Sequence, residues 1–286
     1  MKIVSPAKIN LFLHVTDKRP DGYHELFSLM CCVNLFDTIH LEFDHRHIQI
    51  ESSDPQIPLD ETNLACKAAS VFFGALGVAD GLKIYIEKSI PVAAGLGGGS
   101  SNAASVLMGL NQHYGYPFSR NELMAIGLGL GADVPFFVFG KPALASGIGE
   151  KLEAYSGALP FHFVLVYPGF LVSTAEVFQN LNLGLTKCKK KIKEPFLTNF
   201  GFNSDLHLCN DLETVTASKH PVIISIKKQL LTLGAEGALM TGSGPTVFGL
   251  FSDLQTAERA KQALGENTAW DVFACDVYNG SCPDGE

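Results

Sequence analysis

An α+β fold in two domains is what this sequence predicts, and three observations carry that expectation. A chain of 286 residues, 47% hydrophobic and 17% charged, is long and apolar enough for two ordinary cores. Segments alternating with period two are interleaved with segments carrying helical stripes. A stretch at 140–160, rich in glycine and holding Pro142 and Pro160, divides the chain, so the domains are expected at 1–155 and 156–286.

In the first half, Ile9, Leu11, Leu13 and Val15 alternate as a half-buried strand would. Lys8 opens this strand after Ser5-Pro6-Ala7, where a solvated strand-end lysine is the simplest reading. Asp17 to His24 is a turn by composition, with Gly22 supplying the left-handed position. The pair Tyr23-His24 that closes it has the chemistry to stack on a planar ligand and bond its edge, although spacing alone leaves a surface turn open. Strand-like segments follow at 26–36, 38–43 and 47–51. Asp60 to Asn63 start a helix striped by Leu64, Ala68, Val71, Phe72 and Ala75 and stopped by Gly77. Leu82, Ile84 and Ile86 then alternate on a strand ending at Lys88.

The stretch from Pro91 to Asn102 comes next. It places Gly95, Gly97, Gly98 and Gly99 before Ser100 and Ser101 and runs into a helix from about Ala103 to Tyr114, ended by Gly115. Glycine has no Cβ to hold an anion away from backbone N–H groups. A following helix adds unpaired donors and the positive end of its dipole. The combination reads as a phosphate cradle, with a glycine-rich surface turn as the alternative. Two familiar templates fail. No lysine follows Gly99 as a P-loop requires, and the dinucleotide pattern ends on Ser100 or Asn102 instead of glycine.

Ser119 and Glu122 have the spacing of a capping box for a helix through Leu123, Ile126 and Leu130. Asp133 follows closely spaced glycines and stands two residues before Pro135, at a tight junction where an N-cap carboxylate is the plain reading. The apolar run Val134 to Phe139 is expected to be buried. In the second half a strand at 161–167, a short helix capped by Ser173 and carrying Phe178, and a lysine-rich loop at 187–193 lead to a helix at 221–233. Strands near 237–241 and 246–251 flank Thr241 to Pro245, and a helix at 253–264 and a strand at 270–278 complete the half. Strand, helix, strand, strand, helix, strand is the split βαβ order of a ferredoxin-like domain. The run after 278 is polar and expected to fray.

A net charge of −8 argues against a nucleic-acid or anionic-membrane surface. Seven cysteines with no C-x-x-C pair suggest reduced thiols. No secretory h-region opens the chain and no segment approaches a membrane span, so a soluble cytoplasmic protein with no membrane partner is expected.

Three motifs in order, Ser5-Pro6-Ala7-Lys8-Ile9-Asn10-Leu11, Pro91 to Asn102 and Gly242-Ser243-Gly244, resemble those of the GHMP kinases across nearly the whole chain. Asp21-Gly22-Tyr23-His24 and Gly131-Ala132-Asp133-Val134-Pro135 narrow the likeness to members that phosphorylate a cytidine diphosphate-linked methylerythritol. The resemblance implies a ribosomal-protein-S5-domain-2-like N-terminal domain and a ferredoxin-like C-terminal one. It implies ATP as phosphoryl donor, with Mg²⁺ expected and a serine hydroxyl near it. Asp133 would be the base and Lys8 its neighbour, offsetting charge on the nucleophile or phosphoryl group. ATP would lie against Pro91, Val92, Ala93, Ala94, Gly95, Leu96, Gly97, Gly98, Gly99, Ser100 and Ser101, with Asn63 and Lys88 near adenine. The acceptor would meet Asn10, Tyr23, His24 and Phe178, with Phe178 opposite Tyr23 across the cytosine. One departure is Ala93, where many members carry glycine. The alternatives are a kinase of another small alcohol, such as homoserine or mevalonate, and a non-catalytic nucleotide-binding protein on the same scaffold.

Overall fold

A computed structural model of the chain describes residues 1–182, 184 and 202–280. The first sheet contains β1 (Lys2–Lys18), β2 (His24–His45), β3 (Ile48–Ser52), β4 (Gly81–Glu87), β5 (Ala143–Gly147) and β6 (Lys151–Ala154). It runs β3-β4-β2-β1, with β5 on the first part of β2 and β6 beyond β5. The segments expected at 26–36 and 38–43 are one strand of 22 residues. Register shifts against β1 at Pro6/Ala7, Asn10/Phe12 and Val15/Asp17 mark the irregularities at which such long strands bend.

Helices α1 (Leu64–Leu76), α2 (Gly98–His113), α3 (Arg120–Leu128) and α4 (Val134–Phe139) pack on this sheet through Phe72, Val106, Leu107, Leu110 and Phe136, against Leu82, Ile84 and Ile86. The capping box predicted for α3 is present between Ser119 and Glu122. Gly77 ends α1 at φ 75°, the left-handed position its sequence called for.

The second sheet is antiparallel, with β7 (His162–Tyr167), β9 (Gly237–Met240), β10 (Val247–Phe251) and β11 (Asp271–Asp276) in the order β11-β7-β10-β9. Alternation along β7 and β10 explains its two packed faces. Val164, Val166, Val247 and Phe251 meet Ile223, Ile226, Ala257 and Ala260 of α8 (Val222–Thr232) and α9 (Leu254–Gly265). Phe163, Leu165, Phe248 and Leu250 face the other way, into a core shared with Ile9, Leu11, Leu29 and Cys31 of the first sheet. That shared core holds the two halves against each other along β1.

Three expectations need correction. The stretch at 140–160 is more than a break, since β5 and β6 form a hairpin that extends the first sheet. Between the lysine run and the helix at 221–233, the chain forms α6 (Ser204–His207), β8 (Cys209–Asn210) and α7 (Glu213–Lys219). These pieces are too short for periodicity to register, and β8 joins the first sheet beside β1, in parallel. Cys209 is disulfide-bonded, so not every thiol is reduced. Cys31, Cys32, Cys66 and Cys275 are free and buried; burial pushes Cys66 up to about 11, Cys32 and Cys275 to about 12, and Cys31 higher still. The lysine run at 187–193 lies outside the described residues, as does the chain from 281 on. Among the described residues no helix is long and apolar enough to cross a membrane.

Candidate active site

A cavity of about 1110 Å³ opens where the two halves meet. Its walls come from β1, the turn before β2, the segment preceding α2, the turn before α4, and α5 (Thr174–Gln179) with Gly242 and Ser243 of the second half.

Lys8 and Asp133 meet inside it. Lys8 sits within β1 with its side chain 6% exposed, and its Nζ lies 3.5 Å from Asp133 Oδ2. Asp133 occupies the N-cap position of α4, yet its carboxylate makes no capping bond, and Pro135 in the first turn removes one amide that would compete for it. The capping reading of Asp133 therefore fails, and the carboxylate, 38% exposed, borders the cavity. Lys8 Nζ also donates to Asn10 Oδ1 at 2.7 Å. Asn10 Nδ2 in turn donates to Ser28 Oγ, and Ser28 donates to the Phe12 carbonyl. Asn10 is thus committed on both ends of its amide, so the face it offers a ligand is narrow.

The glycine segment is tighter than a simple cradle. Gly97 caps α2 in the left-handed conformation, and the helix starts at Gly98, five positions before the apolar pattern predicts it. The N–H groups of Gly98, Gly99 and Ser100 thereby become first-turn donors. Each glycine has its own constraint. A methyl on Gly95 would overlap the Thr241 carbonyl of the second half, and one on Gly97 would stand 2.9 Å from the Phe137 ring and 3.1 Å from Lys8 Cγ. Gly99 is exposed, and a methyl there would find its nearest neighbour at 3.8 Å. The Leu96 carbonyl accepts from the Lys8 amide at 2.9 Å, which ties this segment to β1 at the lysine itself.

Pro91, Val92, Ala93, Ala94, Gly95, Gly97, Gly98, Gly99, Ser100 and Asn63 line the cavity. Leu96 and Ser101 turn into the core and do not. Asn63 caps α1 with Oδ1 and donates Nδ2 to the Pro58 carbonyl. Lys88 borders the cavity, but its ammonium is turned onto the buried carboxylate of Asp37.

His24 and Phe178 also line the cavity and stack there, with ring centroids 5.2 Å apart and planes 28° from parallel. Tyr23 stands at the rim, 58% exposed. The resemblance implies Tyr23 and Phe178 as the facing pair; in this structure His24 itself takes the Phe178 face. Burial, reinforced by the charge on Lys18, lowers the His24 pKa and keeps the ring neutral, with one nitrogen to donate and one to accept.

Sequence reasoning missed Asp37, Asn102, Thr241 and Asn210. Thr241 Oγ1 accepts from the Asn10 amide at 3.0 Å, and Asn210 holds the carbonyls of Met240 and Gly242, so both fasten the second half against the site. An aspartate inside the apolar pattern of residues 35–43 is the one signal that points to Asp37. Among the described residues His14, Cys209 and Asp211 bring possible metal-ligand atoms within 4.8 Å of one another, but Cys209 is disulfide-bonded and offers no thiolate.

The chain matches the GHMP kinases N terminal domain over residues 63–141 and the GHMP kinases C terminal domain over 189–269. A Syntrophotalea carbinolica protein named 4-diphosphocytidyl-2-C-methyl-D-erythritol kinase is 50% identical over 277 residues, spanning 96% of this chain and 98% of that protein. A Clostridioides difficile protein of the same name is 43% identical, spanning 92% and 91%. The crystal structure of a 4-(cytidine 5'-diphospho)-2C-methyl-D-erythritol kinase superposes with a TM-score of 0.81 at 34% identity, covering 96% of this chain and 98% of that one. A homoserine kinase from Cytophaga hutchinsonii superposes at 0.76 with 19% identity, covering 97% and 94%, and shares the fold alone.

Proposed function

The chain belongs to the GHMP kinase family, and on that premise we propose that it transfers a phosphoryl group from ATP to the 2-hydroxyl of 4-diphosphocytidyl-2-C-methyl-D-erythritol. The products are the 2-phosphate and ADP, and the step belongs to the non-mevalonate route to isoprenoids, carried out in the cytoplasm by two domains divided near residue 155. The observation that carries this reading is that one cavity is lined by the Lys8–Asp133 ion pair, by a glycine-rich helix start and by the stacked His24–Phe178 pair. The curated relatives carry the name of this kinase, which favours it over a homoserine or mevalonate kinase.

Phosphoryl transfer asks a protein mainly for positioning and charge stabilisation. Asp133 accepts the proton of the acceptor hydroxyl as its oxygen bonds to the γ-phosphorus, and the bond from that phosphorus to the bridging oxygen breaks to release ADP. Lys8 offsets the negative charge that gathers on the transferred group. The first-turn amides of α2 hold the phosphates, aided by the helix dipole. Ser100 Oγ lies beside the Gly131 end of the turn carrying Asp133, and hydroxyl and carboxylate oxygens are hard donors of the kind Mg²⁺ takes. Mg²⁺ bound there would neutralise charge on the β- and γ-phosphates. His24 reads the cytosine edge, Tyr23 supplies an aromatic face, and Phe178 backs the His24 ring.

The test is ADP release with the cytidine substrate, set against mevalonate and homoserine. Turnover with the cytidine compound alone is expected; turnover of either competitor without it would overturn the assignment.

A further inference from the structure

Asp37 does not line the cavity, yet its carboxylate accepts four donors, two of them backbone amides of the stretch leading into the glycine segment. It lies in β2, fully buried. Its Oδ1 accepts the amides of Ser89 at 2.8 Å and Ile90 at 2.9 Å, and its Oδ2 accepts Asn102 Nδ2 at 3.0 Å and the Lys88 ammonium. Those four donors come from Lys88 just past the end of β4, from Ser89 and Ile90 in the stretch leading into the glycine segment, and from Asn102 in the second turn of α2. One carboxylate therefore fastens both ends of the segment whose middle presents the first-turn amides.

The charge arrangement is as specific as the geometry. A buried carboxylate so close to a phosphate-binding helix start would repel the ligand if left uncompensated. Lys88 compensates it: its side chain is 6% exposed, and its Nζ lies 3.2 Å from where a Cβ on Gly98 would stand. The ammonium thus sits directly beneath the first turn of α2. We propose that Asp37 is the positioning residue of the ATP subsite, and that Lys88 serves it as the counter-charge instead of reaching for adenine. The proposal rests on the reading of this cavity as an ATP site.

Asp37→Asn is the direct test, because it keeps the volume but removes the charge. Its amide nitrogen also has to face donors on Lys88 or Asn102, or else on Ser89 and Ile90. Affinity for a non-hydrolysable ATP analogue, measured by titration on folded protein, should fall about tenfold, as the loss of a charge-assisted contact predicts. The KM for the acceptor should stay where it was. Lys88→Met alone leaves the carboxylate uncompensated and should weaken the analogue at least as much, whereas the double variant Asp37→Asn/Lys88→Met should recover part of the loss. A merely structural role would lower Tm while leaving analogue affinity unchanged in the folded fraction, or would raise both KM values alike; either result overturns the proposal. If Asp37→Asn does not fold, Asn102→Ala decides, since it removes one tether only. A selective loss of analogue affinity supports the proposal and an unchanged affinity overturns it. Because analogue binding needs no acceptor, a parent protein that binds the analogue but ignores the cytidine compound would refute the proposed acceptor while still testing Asp37.

Discussion

The Lys8 ammonium lies 3.5 Å from the Asp133 carboxylate, with 6% of the lysine side chain and 38% of the aspartate side chain exposed. The buried cation fixes the anion in place while the half-open anion stays reachable, an arrangement that suits a proton acceptor. Asp133→Asn keeps the shape and removes the proton acceptor. Turnover should fall by roughly 10²–10⁴-fold while binding of an ATP analogue is kept. ADP release and a binding titration on the same preparation check both halves, and an unchanged rate would remove Asp133 as the base.

Tyr23 is 58% exposed and lines the cavity, and among the described residues it makes no aromatic contact comparable to the His24–Phe178 stack. Tyr23→Ala should therefore leave Tm unchanged. Stacking on a base is worth about 1–3 kcal/mol, so the KM for the cytidine acceptor should rise about 5- to 150-fold with ATP affinity untouched. A parallel rise for both substrates would mean that Tyr23 holds the cavity open instead of meeting the base.

Much of this arrangement was legible in the sequence because it rests on local chemistry. Glycine spacing, the capping box at Ser119 and the alternation in β7 and β10 each depend on neighbours close in the chain. What was not legible depends on approach between distant segments. Asp37 acquires its role only when β4 and α2 converge on it, and β8 is two residues long and exists because β1 lies beside it. The early start of α2 escaped for a related reason: Gly98 and Gly99 are poor helix formers on their own, and packing of the glycine segment under Thr241 and Phe137 decides their conformation. The same packing explains why Leu96 and Ser101, inside the motif, point away from the cavity.

His24 carries a lowered pKa, first because it is buried and second because Lys18 is near. A histidine in the unfolded chain titrates near 6.5. Below that pH the unfolded state binds more protons than the folded one, so the contribution of His24 to stability is full above about 6.5 and is lost as pH falls through its folded value. His207 is lowered by burial in the same direction. Thermal melts from pH 8 to pH 5 should therefore show the parent losing stability on acidification faster than His24→Gln, with His207 common to both. Parallel profiles would contradict a neutral, buried His24.

Gly95 and Gly99 lie in one motif but should fail in different ways. A methyl on Gly95 meets the Thr241 carbonyl, and Gly95 also holds φ 79°, so Gly95→Ala pushes the two halves apart and strains the backbone. A drop in Tm is expected along with lost activity. Gly99 is helical and open to the cavity, and alanine is the better helix former by about 1 kcal/mol. Gly99→Ala should keep or raise Tm while ATP affinity falls, because its methyl enters the phosphate space. Equal effects on Tm from the two variants would count against this division of labour.

Ala93 has φ 49°, a left-handed conformation that costs a residue with a Cβ about 1–2 kcal/mol. It is exposed, so its methyl gains little from burial in return. Ala93→Gly relieves the strain but gives the unfolded chain more freedom, an opposing cost of about 0.5–1 kcal/mol. The balance favours glycine by up to about 1.5 kcal/mol, which for a chain of this size is a rise in Tm of up to about 3 °C. Turnover should not change, because no polar atom of the site is altered. A fall in Tm instead would show that the methyl makes a stabilising contact large enough to outweigh the strain, and would locate that contact in the segment between Ile90 and Gly95.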